Sequence, residues 1–197
     1  IMCQGEPGTG KTLTAEVYAE VIKRPLYKLH SGQLGTDPET VEKELVAALQ
    51  RAERWKAVML IDEADVFVRN RAQDLEQNAV VGVFLRTLEY FNGLLFLTTN
   101  RGQDIDDAIL SRCIAVIQYL KPGLDERARL WSTLSEQFGV SMGKLEVSLA
   151  AQEFTNVSGR DIKAFLKLTA KWLSVRKVPL SLEVLKKAAF FWGYSKP

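Results

Sequence analysis

One short segment constrains the fold of this chain more than any other feature: residues 5–12, with the sequence GEPGTGKT. It matches the pattern G-x-x-x-x-G-K-[ST] at every fixed position. The glycines let successive backbone N–H groups turn inward around phosphate oxygens, and a following helix adds its positive N-terminus. In such a loop Lys11 reaches the terminal phosphates of ATP, and the hydroxyl of Thr12 is a Mg²⁺ ligand. The expected nucleotide contacts are Glu6, Pro7, Gly8, Thr9, Gly10, Lys11, Thr12 and Leu13.

A second segment, about fifty residues downstream, pairs an apolar run with two acids. Residues 58–61 predict a buried strand, and Asp62 and Glu63 follow it directly. In open α/β sheets ligands bind at the carboxyl ends of the strands. We expect Asp62 to hold the Mg²⁺ shell, directly or through water, and Glu63 to polarise an attacking water. Residues 62–65 also spell the name of an RNA helicase family, DEAD, but the further motifs of that family are missing from the sequence, so we treat the spelling as a coincidence.

A third segment ends in an amide. Residues 94–98 predict another apolar strand, and Asn100 follows it at the same edge of the sheet. A neutral amide at that place can hold a water beside Glu63 without adding charge. The alternative is an asparagine that merely suits a turn. Because Asn100 comes after the two preceding segments in the expected order, we favour the functional interpretation.

The periodicity of the chain predicts an α/β core followed by helices. Over residues 1–120, apolar strands alternate with helical spacing, which is typical of a parallel sheet. The predicted strands are residues 1–4, 25–29, 57–61, 94–98 and 113–118. The helical spacing is carried by Val41, Leu45, Ala48 and Ala52, and by Val80, Val83, Phe84, Leu88 and Phe91.

Beyond a hinge at residues 121–123 the sequence predicts only helices. One apolar face comprises Ile162, Phe165, Leu166, Thr169, Trp172 and Leu173, and another comprises Leu182, Leu185, Ala189 and Trp192. We therefore expect a helical lid over residues 121–197. Because only four residues precede the glycine loop, we expect the first strand to be truncated and the sequence to be part of a longer protein.

Composition limits which partners and which cellular compartment we expect for this chain. A net charge of +2 in 197 residues gives no electrostatic reason to expect nucleic acid or anionic lipid as a partner. The two cysteines, Cys3 and Cys113, have neither disulfide nor metal-site spacing, which favours the cytoplasm or another reducing compartment. No apolar run approaches the roughly 18 residues of a membrane span.

In order, the segments GEPGTGKT, MLIDEAD and LTTN, then residues 108–113 and 158–162, resemble an AAA+ ATPase over nearly the whole chain. The resemblance implies that Arg112 is an arginine finger, which reaches the γ-phosphate held by a neighbouring subunit of a ring. It also implies that Arg160 is the second-sensor arginine of the lid. For Arg112 the alternative is a surface arginine at a helix end. Ser158 is the expected N-cap of the helix that contains Arg160, which places this arginine in the first turn. Positive charge is disfavoured at that end of a helix, so its presence there favours a role in meeting an anion.

The sequence departs from the family pattern in two places. Residues 31–37 lack the aromatic pore-loop residue of unfoldases, which weakens the case for a threaded polypeptide. One prominent subgroup carries two arginines in a Gly-Arg-Phe-Asp-Arg box, whereas this chain offers Arg112 alone at the matching place.

The resemblance implies a homo-oligomeric ring that hydrolyses ATP with Mg²⁺ and remodels a macromolecular partner, most simply a protein. ATP is expected in the cleft between core and lid. Two other functions stay open. One is a nucleotide-gated scaffold with little turnover, which the presence of Glu63 and Asn100 disfavours. The other is a clamp-loader-like ATPase acting on DNA, suggested by residues 111–113 and disfavoured by the near-neutral charge.

Overall fold

The computed structural model describes residues 1–69, 75–102 and 104–194, without the side chains of residues 75–77. The chain divides into two compact units. The first comprises Ile1–Glu6 and Gly10–Tyr119, and the second comprises Pro7–Thr9 and the chain from Leu120 onward. Each unit has its own hydrophobic core.

A parallel sheet forms the centre of the first unit. Its strands are β1 (Met2–Gly5), β2 (Leu26–His30), β3 (Val58–Asp62), β4 (Leu94–Thr99) and β5 (Val116–Tyr119). They lie in the order β2-β3-β4-β1-β5, and every described pairing is parallel. The predicted α/β class is confirmed.

All five strands extend one residue further than the apolar pattern predicted. The reason is that backbone pairing continues past the apolar residues: His30 is opposite Asp62, Gln4 is opposite Thr99, and Gly5 is opposite Tyr119. The start of β5 was also predicted three residues too early, because residues 111–113 form a turn and an irregular segment. The polar side chains at the strand ends are therefore held by the sheet itself.

Both faces of the sheet are covered by helices. The helices of this unit are α1 (Lys11–Val21), α2 (Pro38–Arg54), α3 (Asp65–Val68), α4 (Leu75–Leu88) and α5 (Asp107–Leu110). Because side chains alternate along a strand, Val58 and Leu60 share a cluster with Ala15 of α1. Met59 and Ile61 instead join the larger cluster of α2 and α4. Phe91 was predicted on the face of α4 but lies beyond the helix, which ends at Leu88.

The second unit is helical, as predicted. It contains α6 (Leu124–Gln137), α7 (Lys144–Glu153), α8 (Gly159–Arg176) and α9 (Leu182–Phe191). Trp131 is fully buried between Phe154 and Phe165, with ring centroids 5.5 and 6.3 Å away. Trp192, predicted on the last helical face, is the C-cap of α9. Across the described parts of both units, no helix combines the length and the apolarity that a membrane crossing requires.

Candidate nucleotide site

The glycine loop joins β1 to α1 through backbone angles that favour glycine. Gly5 has a φ of +148° and Gly10 a φ of +104°, in the region that L side chains rarely adopt. A Cβ on Gly5 would also collide with the carbonyl oxygen of Tyr119 on β5. Gly10 is the N-cap of α1 and has no side chain with which to satisfy the first-turn N–H groups. The start of α1 is therefore suited to an anion.

Lys11 is the buried cation of the loop. It is 7% exposed, and its ammonium donates to the carbonyl oxygens of Gly5 and Glu6, each at 2.8 Å. It also donates to Oδ1 of Asn100, at 2.9 Å. These bonds offset the cost of burying a charge. They bring two predicted site residues, from segments 89 positions apart, into direct contact.

Asp62 is the centre of a second group of contacts. Its Oδ1 accepts from the hydroxyls of Thr12, at 2.9 Å, and Thr98, at 2.5 Å. Its Oδ2 is paired with the ammonium of Lys28, at 2.9 Å. Burial opposes ionisation, but the bonds from Thr98, Lys28 and Thr12 outweigh it and hold the pKa of Asp62 below its ordinary value. Asp62 is therefore an ionised carboxylate in contact with the predicted Mg²⁺-binding hydroxyl.

Glu63 is exposed and has a strained backbone. Its φ of +57° lies in the left-handed region, which costs a non-glycine residue about 1–2 kcal/mol. Its backbone N–H donates to the hydroxyl of Thr98, at 3.0 Å, so the oxygen that touches Asp62 also fixes this turn. Strain of this kind persists where surrounding contacts impose it, and such places are frequently functional.

Asp65 holds the end of β4. Its Oδ1 accepts from the hydroxyl of Thr99 and from the backbone N–H of Asn100, the latter at 3.0 Å. The side chain of Asn100 meanwhile accepts from Lys11. Asn100 is thus oriented from two sides, by α3 and by the loop lysine.

The other predicted site residues lie apart from these contacts. The guanidinium of Arg112 donates to the carbonyl of Ala108, at 3.0 Å, and forms an ion pair with Glu89. Its side chain is 39% exposed. Arg160 is an exposed residue in the first turn of α8, in the second unit. Leu13 is 59% exposed on α1.

Sequence reasoning missed Thr98, Lys28 and Asp65. Thr98 and Asp65 each lie within three residues of a predicted site residue. A hydroxyl near the end of a strand and a carboxylate just after one were usable signals. Lys28 gave no such signal, because its contact depends on the pairing of β2 with β3.

The donor set fits Mg²⁺ and a nucleotide phosphate. The Thr12 hydroxyl and the Asp62 carboxylate are oxygen ligands of the kind that Mg²⁺ prefers, and they already lie 2.9 Å apart. Within the described residues, no group of three or more His, Cys, Asp or Glu side chains forms another metal site. Lys11 and the start of α1 would supply the positive side of a phosphate site.

The sequence matches a known protein family and several of its members. The model of the family AAA, "ATPase family associated with various cellular activities", matches residues 1–120. ATPase family AAA domain-containing protein 3 of Xenopus tropicalis is 30% identical over 202 residues, covering 87% of this chain and 32% of that protein. The human ATPase family AAA domain-containing protein 3A is also 30% identical, covering 86% of this chain and 30% of that protein. The chain thus spans about a third of the length of these relatives.

A solved structure shows the same fold. The FIGL-1 AAA domain in complex with ADP aligns with a TM-score of 0.79, covering 96% of this chain and 70% of that chain. At 20% identity this likeness concerns the fold alone. The family match rests on more than half of the chain and includes the glycine loop, Asp62 and Asn100. The resemblance inferred from the sequence is thereby confirmed: the chain belongs to the AAA family of ATPases, which places it among nucleotide-binding proteins with an ATP-dependent function.

Proposed function

We propose that this chain hydrolyses ATP with Mg²⁺ as one subunit of a homo-oligomeric ring, and that hydrolysis drives remodelling of a macromolecular partner, most simply a protein. The observation that carries the proposal is the pair of contacts Lys11–Asn100 and Thr12–Asp62. They bring the phosphate-binding lysine and the metal-binding residues to one edge of the sheet, at the start of α1.

The side chains divide the work of phosphoryl transfer. Lys11 and the first turn of α1 hold the phosphates, while Thr12 and Asp62 hold Mg²⁺. Mg²⁺ supplies charge neutralisation on the phosphate oxygens. Asn100 orients a water and Glu63 takes a proton from it as it attacks the γ-phosphorus. The β–γ phosphoanhydride bond breaks in the same step, and ADP leaves. Thr98 and Asp65 act as positioning residues, because each fixes the backbone N–H of a residue that faces the reaction.

Two arginines complete the proposed machinery. Arg112 acts on the nucleotide of the neighbouring subunit, which is supported by its exposure and by its hydrogen bonds to residues outside the loop and strand ends. Arg160 acts on the nucleotide from the lid, which its exposed place in the first turn of α8 permits. A guanidinium suits the charge that builds on transferring phosphoryl oxygens. The reducing compartment stays a prediction from the two cysteines.

The first test is binding. Lys11→Ala should abolish binding of ATP with Mg²⁺, because the loop loses its buried cation. Calorimetric titration measures this, with Lys43→Ala as the control, since Lys43 is an exposed lysine of α2. Wild-type affinity in the Lys11→Ala protein would refute the assignment of the phosphate site.

A further inference from the structure

Lys28 is a basic side chain at this site that does not come from the phosphate loop. It lies on β2, opposite Leu60 of β3 and therefore two positions before Asp62 along the neighbouring strand. That offset matches the reach of a lysine side chain, and its ammonium sits 2.9 Å from Oδ2 of Asp62. The other oxygen of this carboxylate, Oδ1, accepts hydrogen bonds from the hydroxyls of Thr12 and Thr98.

Three side chains thus contact the two oxygens of Asp62: two donate hydrogen bonds and one forms an ion pair. An ordinary surface ion pair contributes little, because water screens it. This pair is different on the carboxylate side: the side chain of Asp62 is 10% exposed, against 34% for Lys28. A charge so withdrawn from water is less screened by solvent and salt. The ammonium therefore neutralises the carboxylate that the proposed function gives to Mg²⁺.

We infer that Lys28 competes with Mg²⁺ for the Asp62 carboxylate, and so raises the Mg²⁺ concentration that tight nucleotide binding requires. The inference rests on the proposed function of the site. A metal that binds through Asp62, directly or through water, must displace the ammonium or lie beside a like charge. At the effective dielectric of a protein surface, a unit charge a few ångströms away changes an ionic affinity by roughly tenfold or more.

The test measures binding rather than turnover. A fluorescent, non-hydrolysable ATP analogue is titrated into the full chain at a series of Mg²⁺ concentrations and again in EDTA. In Lys28→Gln the half-saturating Mg²⁺ concentration should fall by roughly tenfold relative to wild type. In EDTA the same variant should bind the analogue no more tightly than wild type, because removing a positive charge cannot favour a polyphosphate. Damage to the fold would weaken binding in both conditions.

Three controls sharpen the result. Lys28→Arg keeps the charge and should keep the wild-type Mg²⁺ midpoint. Lys43→Gln removes the same charge from an exposed site on α2 and should leave the midpoint unchanged. Lys28→Met removes the charge with similar length and replaces the glutamine variant if circular dichroism shows that the latter is misfolded.

The results distinguish a failure of this inference from a failure of the proposed function. A midpoint in Lys28→Gln and Lys28→Met that equals the wild-type value, or lies above it, overturns competition by Lys28 while leaving the nucleotide site intact. If the wild-type chain fails to bind the analogue at any Mg²⁺ concentration, the proposed function fails and this inference fails with it.

Discussion

At the scale of single residues, Thr98 connects Asp62, the proposed metal ligand, to Glu63, the proposed catalytic base. Its hydroxyl donates to Asp62 and accepts from the backbone N–H of Glu63. The left-handed turn at Glu63 is therefore tied to the carboxylate that precedes it. A small polar side chain on β4 thus orients Asp62, the last residue of β3, and Glu63, which follows it. These are the acids proposed to serve the metal and the water.

Replacing Glu63 tests its proposed role directly. Glu63→Gln should retain ATP binding and lose at least two orders of magnitude in turnover, since an amide cannot act as a general base. The variant should also trap ATP and stabilise assemblies. Phosphate release and calorimetric affinity, measured side by side, check both halves of the expectation. Glu20→Gln, at an exposed position of α1, is the control for the loss of charge. Turnover at the wild-type rate in Glu63→Gln would assign the base to another residue.

Residue type and order were enough to select the candidate site residues, but not to predict all of their contacts. Lys11, Thr12, Asp62 and Asn100 were predicted from residue type and order, and the structure brings them together in two hydrogen-bonded pairs. Lys28 could not be predicted in the same way. Its contact depends on which residue of β3 it reaches, and the sequence of β2 alone does not show how the two strands align.

At the scale of elements, the strand ends carry most of the residues of the proposed site. The apolar pattern located all five strands but placed each end one residue early. The pattern records side-chain burial, whereas a strand ends where backbone pairing ends. The final residues of β3 and β4, Asp62 and Thr99, are therefore polar and still held by the sheet. Rigid placement of this kind is what a site for metal and phosphate needs.

In the second unit, a side-chain cap holds the start of α8. Ser158 is 2% exposed and forms a reciprocal capping box with Asp161. Burial disfavours the ionised form of Asp161, but the bonds from Ser158 and Trp192 outweigh it and hold its pKa below the ordinary value. The cap fixes the first turn, in which Arg160 lies. Sequence reasoning identified this cap, because a serine three residues before an acid is a local signal.

Removing the cap should destabilise the helical unit. Ser158→Ala is expected to lower its free energy of unfolding by about 1 kcal/mol. Urea unfolding followed by tryptophan fluorescence suits this test, because three of the four tryptophans, Trp131, Trp172 and Trp192, lie in that unit. Ser174→Ala, at an exposed position of α8, is the matched control and should have little effect.

The difference in free energy of unfolding between wild type and Ser158→Ala has a defined pH dependence. Because the pKa of Asp161 is lowered in the folded state, its contribution is present above the unfolded value of about 3.9 and is lost as the pH falls below it. This difference in free energy of unfolding should therefore become smaller at acid pH. A difference that is constant from neutral pH to pH 3 would contradict an ionised Asp161 in the cap.

At the scale of the whole molecule, the described contacts account for one part of the proposed machinery. Lys11, Thr12, Asp62 and Asn100 lie within the first unit and touch one another. Arg112 and Arg160 were assigned by resemblance, and their roles depend on a neighbouring subunit and on the lid. A sequence pattern can indicate that such an arginine exists. It cannot show which phosphate the arginine reaches, because that depends on assembly.

Mixing two inactive variants tests the central claim, hydrolysis at sites shared between subunits. Glu63→Gln and Arg112→Ala should each be nearly inactive alone, since an arginine supplied in trans is worth roughly 10³–10⁵ in rate in well-measured switch proteins. In mixed assemblies some sites combine an intact Glu63 with an intact Arg112 from the adjacent chain. Phosphate release should then partly return, and it should rise with protein concentration.

The control mixes Glu63→Gln with the double variant Glu63→Gln/Arg112→Ala, in which no site holds an intact Glu63. That mixture should stay inactive at every ratio. Partial recovery in the first mixture and none in the second is the result expected for ATP hydrolysis completed by a neighbouring Arg112. An Arg112→Ala protein that hydrolyses ATP at the wild-type rate, under conditions where assembly is demonstrated, would contradict it.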